Sequence, residues 1–170
     1  DGDPRFSGLS GRHRELVNIW VKKEFRNLRR MRKYGIRVPL PISYNKNVLV
    51  MELIGTNAAA PRLKDIEIDE KFETFSEMLD MVAVSWQKAS LVHADLSEYN
   101  ILWHDSQPWF IDVGQGVTEQ HPHSEEFLVR DVTRLVHWIN KQGYEVELVD
   151  CMLRVLEEPV PELQPLPGGD

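Results

Sequence analysis

The sequence predicts an α+β fold in which helices pack against short antiparallel strands. Three observations carry that expectation. Two stretches in the first ninety residues repeat apolar side chains at helical spacing, a pair of short apolar runs between them flanks a polar turn, and three more short apolar runs follow before the pattern returns to helix.

The opening, Asp1 to Gly11, is rich in Gly, Asp and Ser without an apolar period, and is expected to be loop or frayed end. From Arg12 to Tyr34, Leu16, Ile19, Trp20, Leu28 and Met31 recur at helical spacing, with Gly35 as the stop. Pro39 and Pro41 force the next residues to be extended. Ile42 to Tyr44 and Val48 to Ile54 then read as a hairpin around Asn45-Lys46-Asn47. Gly55 to Lys64 breaks the pattern. A second helix, Asp69 to Ser90, places Phe72, Phe75, Met78, Leu79, Val82 and Trp86 on one face. Short strands are expected at Leu91-Val92, Ile101 to Trp103 and Trp109 to Ile111. Ser124 to Lys141 and Val146 to Glu157 return to helix, and the proline-rich 159–170 segment reads as a flexible tail.

Bulk properties narrow the function. A net charge of −7 argues against a surface that coats nucleic acid generally. Yet Arg12, Arg14, Lys22, Lys23, Arg26, Arg29, Arg30, Arg32, Lys33 and Arg37 crowd the first quarter, as a solvated helix face or an RNA contact, the former favoured. One cysteine, Cys151, can form neither an internal disulfide nor a multi-thiolate zinc site, which fits a reducing compartment and a cytoplasmic location. No apolar run approaches the length that spans a bilayer, and no membrane association is expected.

The densest chemical signal is Leu91-Val92-His93-Ala94-Asp95-Leu96-Ser97-Glu98-Tyr99-Asn100-Ile101-Leu102-Trp103. Apolar flanks pin both ends of a polar loop, so that Asp95 and Asn100 face one cleft. Phe110-Ile111-Asp112 ends the next apolar run on a second carboxylate. Phosphoryl transfer asks for hard oxygen ligands for a divalent ion, a group that orients the attacking hydroxyl, and fixed alignment. This trio meets those needs at the spacing of the protein-kinase catalytic loop and metal-binding Asp. The alternative, loop-capping side chains, explains one such residue better than three in register.

His93 to Asn100 resembles the catalytic loop of the RIO kinases, and Ile111-Asp112-Val113-Gly114-Gln115-Gly116-Val117 resembles their Ile-Asp-x-x-Gln segment. His121-Pro122-His123, Phe127-Leu128 and Arg130-Asp131 extend the similarity, as do Lys23 to Leu28 and Val50 to Gly55, which are most like the archaeal form of the first RIO subgroup. The resemblance covers about Asp3 to Lys141. It implies a protein-kinase-like fold: a partial N-lobe over 1–54, a mainly helical C-lobe over 55–158 with the catalytic and metal-binding loops, and the tail. It implies an ATP-dependent serine/threonine kinase or ATPase that uses ATP with Mg2+ or Mn2+ and acts with a pre-small-subunit ribosomal particle. Catalytic roles then fall to Asp95 and Asp112, with Asp112 also a phosphate acceptor. Asn100 and Asp112 hold the metal. Met51, Glu52 and Ile54 form the hinge, where backbone atoms of Glu52 and Ile54 meet adenine; Ser97, Glu98 and Tyr99 are also placed on the nucleotide side.

Glu24 has its own argument. It lies on the helical stripe of Leu16 and Met31, so its carboxylate points inward and needs a cation, which in kinases is a strand lysine gripping the ATP phosphates. Neither that lysine strand nor a Gly-rich phosphate loop is found in the sequence. Kinase order would put both ahead of residue 1, so this chain alone is expected to bind ATP poorly. Ala94 stands where regulated kinases have arginine, which removes the partner of an activation-loop phosphate.

Other readings compete. A small-molecule phosphotransferase of the aminoglycoside-kinase type shares the His-x-Asp and Asn pattern, and a nucleotide-switched ribosome-binding module needs no catalysis. The histidines His93, His104, His121 and His123 lack zinc-ligand spacing. Trp103, Trp109 and Trp138 are better explained by packing than by base stacking, and Arg130-Asp131 by local ion pairs.

Overall fold

The computed structural model describes residues 4–169, with side chains described from residue 11 onward. Among the described residues, four α-helices, α1 (Pro4–Lys33), α2 (Lys71–Gln87), α3 (Ser124–Lys141) and α4 (Leu148–Leu156), accompany three two-stranded antiparallel ribbons. β1 (Pro41–Asn45) pairs with β2 (Val48–Met51), β3 (Leu91–Val92) with β6 (Val117–Thr118), and β4 (Ile101–His104) with β5 (Gln107–Phe110).

Helix α1 begins at Pro4, eight residues ahead of the expected Arg12. Proline suits the first helical position, where its missing N–H is not needed and its φ is already helical. Of the expected opening loop, only residues 1–3 lie outside the described chain. The far end closes as Gly35 predicts: φ is +81° there, Ile36 N–H bonds to Met31 O at 3.0 Å and Gly35 N–H to Arg32 O at 3.1 Å. These two bonds satisfy carbonyls that the helix leaves open, and Met31 and Ile36 bury together above them.

The apolar stripe of α1 divides in a way its periodicity conceals. Leu28 and Met31 are buried, whereas Leu16, Ile19 and Trp20 are more than half exposed, because only the second half of α1 lies over the core. The β1–β2 ribbon is equally open, with Ile42, Val48 and Val50 exposed. Its turn is two residues, Lys46-Asn47, with Lys46 at φ +54°, and β2 ends at Met51 rather than Ile54.

Phe75, Met78, Leu79 and Val82 of α2 join Leu128, Val132, Leu135 and Ile139 of α3, and Cys151 and Val155 of α4, in the main core. Helix α2 is shorter than expected at both ends, stopping at Gln87 before Ser90 turns left-handed at φ +53°. The 159–169 segment departs from a flexible tail by having fixed partners. Arg32, buried, donates from Nε to Pro167 O and from Nη1 to Val38 O at 2.7 Å, while Leu166 N–H bonds to Arg32 O at 2.8 Å. Leu163 packs against Gly35 so closely that a Cβ there would lie 2.5 Å from its own.

Candidate active site

The site forms where three short backbone connections meet. His93 closes β3 with both ring nitrogens engaged: Asp95 N–H donates to Nδ1 at 3.2 Å, so the ring proton sits on Nε2 and is given to Ile111 O at 2.7 Å. Ile111 N–H in turn bonds to Asn100 O at 3.0 Å. The loop that carries Asp95 and Asn100 is thereby tied to the strand end that carries Asp112. Ala94 and Asp112 both take left-handed backbone, φ +71° and +57°, a conformation that costs a non-glycine residue energy and is held by its surroundings.

Asp95 and Asn100 meet directly. Asn100 Nδ2 donates to Asp95 O at 2.8 Å and to Asp95 Oδ2 at 3.2 Å. Because the amide's donor end is committed, its Oδ1 is left as a free acceptor. Arg134 of α3 holds the other carboxylate oxygen, Oδ1, at 3.1 Å.

The Asp112 side chain is exposed and has no hydrogen bond or ion pair among the described residues. Across from it stands Glu24, half-buried against Gly114, where a Cβ would come within 3.3 Å of Glu24 Oε2. Burial, and then the neighbouring Asp112 charge, raise the Glu24 carboxyl above its ordinary range. The expected cation for Glu24 is not among the described residues; the structure sets a second carboxylate there instead. The Asn100 amide oxygen and the Asp112 carboxylate are hard oxygen donors of the kind that suits Mg2+ or Mn2+, and the acidic surroundings favour a divalent ion.

Met51, Glu52 and Ile54, the residues expected to form the hinge, share none of these contacts. Glu52 N–H bonds to Leu40 O at 2.8 Å, and its carboxylate receives Leu40 N–H at 2.9 Å beside Arg32 at 3.6 Å. Ile54 O accepts from Ala60 N–H at 2.8 Å. Those bonds leave the Glu52 carbonyl and the Ile54 N–H open. Met51 is partly exposed next to them. Ser97, Glu98 and Tyr99 face a different space, a cavity of about 610 Å³ shared with Asp95, Asn100, Thr133, Arg134 and His137, which none of the hinge residues lines.

Asp131, whose sequence context suggests a local ion pair with Arg130, instead binds backbone N–H groups. It is 1% exposed, and its two oxygens accept Ala94 N–H at 2.8 Å and Leu96 N–H at 3.0 Å, gripping the backbone on both sides of Asp95. Desolvation raises its carboxyl above the usual range; the nearby His93 ring, those two N–H groups and Arg130 oppose the rise. Arg130 donates to Ala94 O and lies over the Phe127 ring. Asn27 of α1 does a similar service, its Nδ2 reaching Val113 O at 3.0 Å just after Asp112. The sequence did carry a signal for Asp131: it sits within the buried stripe of Leu128, Val132 and Leu135, as Glu24 does on α1. Arg134 had none.

The remaining candidates have other uses. His121 and His123 lie tilted against the Phe127 ring, and Trp103 packs against the core while Trp109 Nε1 donates to His104 O at 3.3 Å.

Comparison with known proteins places this arrangement. The sequence model of the RIO domain matches residues 1–151. The chain belongs to the RIO family. The RIO-type serine/threonine-protein kinase Rio1 of Haloferax volcanii is 41% identical over 148 residues, which are 86% of this chain and 51% of that protein. Rio1 of Thermoplasma acidophilum is 40% identical over 148 residues, 86% of this chain and 77% of its own length. Human serine/threonine-protein kinase RIO3 is 40% identical over 147 residues, 85% of this chain but 28% of that longer protein. The chain thus spans about half the length of the Haloferax relative, and less of the human one. Among solved structures, the Rio2 kinase complex with ADP/Mg2+ and phosphoaspartate from Chaetomium thermophilum superposes with a TM-score of 0.69 at 20% identity, over 88% of this chain and 48% of that one. This RIO chain therefore has the protein-kinase-like α+β fold that its sequence predicts. No helix among the described residues is long and apolar enough to cross a membrane.

Proposed function

We propose that this RIO chain is the catalytic part of an ATP-dependent serine/threonine kinase or ATPase. The observation that carries the reading is the clamp of Asn100 on Asp95: it presents a carboxylate to an attacking group and an amide oxygen to a metal from one side-chain pair.

Asn100 and Asp112 would hold Mg2+ or Mn2+, which supplies charge neutralisation on the phosphates of bound ATP. Met51 and the open backbone groups of Glu52 and Ile54 receive the adenine, the Glu52 carbonyl accepting and the Ile54 N–H donating. Ser97 offers its hydroxyl beside Asn100, and Glu98 and Tyr99 shape the rim. Glu24 gives the site a further acidic group that a lysine or the metal would balance. Asp95 has acceptor capacity left after Arg134 and Asn100 have each taken one contact. It takes the hydroxyl proton of a serine or threonine as that oxygen bonds to the γ-phosphorus and ADP departs.

A second reading rests on Asp112 itself, exposed, partnerless and fixed in a left-handed turn. Its carboxylate oxygen can attack the γ-phosphorus directly, releasing ADP and leaving an acyl phosphate that water hydrolyses. That sequence makes the enzyme an ATPase, and a phosphoaspartate is named in the similar Rio2 complex. Family membership favours either course over a small-molecule phosphotransferase. Small-subunit ribosome maturation in the cytoplasm is the setting that the resemblance supports, with the lone buried thiol of Cys151 in keeping with a reducing compartment.

Single-turnover ATP cleavage by the full-length protein tests the reading. Replacing Asp95 by Ala should slow transfer to a hydroxyl acceptor by about 10²-fold or more. Unchanged turnover would turn the reading toward a nucleotide-switched binding module.

A further inference from the structure

The outer face of α1 has no part in the site just described. Lys22, Arg26, Arg29, Arg30 and Lys33 fall on one side of the helix, opposite Glu24, Asn27 and Met31, and rise over about 16 Å. Arg26, Arg29, Arg30 and Lys33 together with Tyr34 line a hollow of about 360 Å³ that contains no acidic side chain among the described residues. Among the described residues, Lys22, Arg26, Arg30 and Lys33 make no ion pair. A solvated helix face is normally laced with acids one turn away; here the first acid back along the face is Glu15, two turns before Lys22.

We propose that this basic hollow binds the phosphodiester backbone of single-stranded nucleic acid. Three of its four cations are arginines, whose planar forks match phosphate oxygens two at a time. One aromatic ring lines the hollow and a second lies beside it: Lys33 Nζ stands 5.6 Å from the Tyr34 ring centre, and Arg29 Cζ 5.8 Å from that of Phe25, which is outside the hollow and edge-on to Tyr44. Cations flanking aromatic faces suit a strand whose bases can stack while its phosphates are neutralised. An acidic peptide would use the cations and leave the rings idle. With a net charge of −7 on the whole chain, the remaining surface repels a polyanion, so a bound strand is confined to this face.

The test is fluorescence anisotropy on the full-length protein with a labelled 20-nucleotide RNA and the matching DNA, over a range of KCl concentrations. Four phosphate contacts give a slope of log affinity against log salt of about −3, and the Arg26→Glu, Arg30→Glu pair should weaken binding by at least about tenfold and flatten that slope by about half. The Arg26→Gln, Arg30→Gln pair carries the same test with less disturbance of the helix. Thermal melting and ATP cleavage equal to wild type certify either variant. Equal affinity for RNA and DNA assigns recognition to the backbone alone; tighter RNA binding adds a 2′-hydroxyl contact. The proposal falls if the variants bind as wild type does, or if polyglutamate or anionic phospholipid vesicles compete as well as the nucleic acid.

Discussion

The side-chain nitrogen of Asn100 bonds both to the backbone carbonyl of Asp95, at 2.8 Å, and to its carboxylate, at 3.2 Å. One amide therefore fixes the direction of the catalytic candidate and, through its remaining oxygen, that of the proposed metal ligand. Replacing Asn100 by Asp keeps an oxygen for the metal but sets a carboxylate against Asp95. Metal-dependent nucleotide affinity should survive in Asn100→Asp while turnover falls by about 10²-fold, and Asn100→Ala should lose both. Parallel kcat and KM measurements separate the two; an Asp variant with wild-type kcat would show that the clamp does not orient Asp95.

Glu24 faces Asp112 from a half-buried position, and burial first, then that like charge, raise its carboxyl. A carboxyl raised in the folded state binds its proton more tightly there than in the unfolded chain. Its favourable contribution is full below the unfolded value and is lost as pH climbs through the raised one. Glu24→Gln should therefore stabilise the metal-free protein at neutral pH and flatten the decline above the ordinary carboxylate range. Melting curves from pH 4 to 8 read this directly. A variant that melts lower than wild type at pH 7 would mean that Glu24 has a cationic partner.

Asp131 carries the backbone on both sides of Asp95 from within the core. Truncation to Ala leaves two buried N–H groups unpaired, at about 1–3 kcal/mol each. Chemical denaturation should show a loss of about 2–5 kcal/mol, and ATP cleavage should fall with it at temperatures where the variant stays folded. Full activity in the folded variant would make Asp131 a residue of stability alone.

The sequence made the site's chain order legible because apolar runs bracket each polar loop: Leu91-Val92, Ile101 to Trp103 and Trp109-Phe110 became strand residues that hold Asp95, Asn100 and Asp112 in place, the last strand ending at Phe110 rather than the expected Ile111. What stayed hidden depends on partners far away in the chain. Leu16, Ile19 and Trp20 repeat as regularly as Leu28 and Met31, but periodicity cannot say which turn of a helix lies over a core. The 159–169 segment has the composition of a loose tail; its order comes from the buried guanidinium of Arg32, which seeks carbonyl acceptors. Arg134 reaches Asp95 across the α3 packing, 39 positions along the chain, with no local pattern to announce it.

The account stands on Asn100 and Asp112 sharing one divalent ion with bound nucleotide. Isothermal titration of the full-length protein with a non-hydrolysable ATP analogue, with and without Mg2+, measures this most directly. Wild type should bind far more tightly with the metal than without it, and Asp112→Ala should erase the difference while melting as wild type does. Metal-dependent affinity retained in Asp112→Ala would contradict the account.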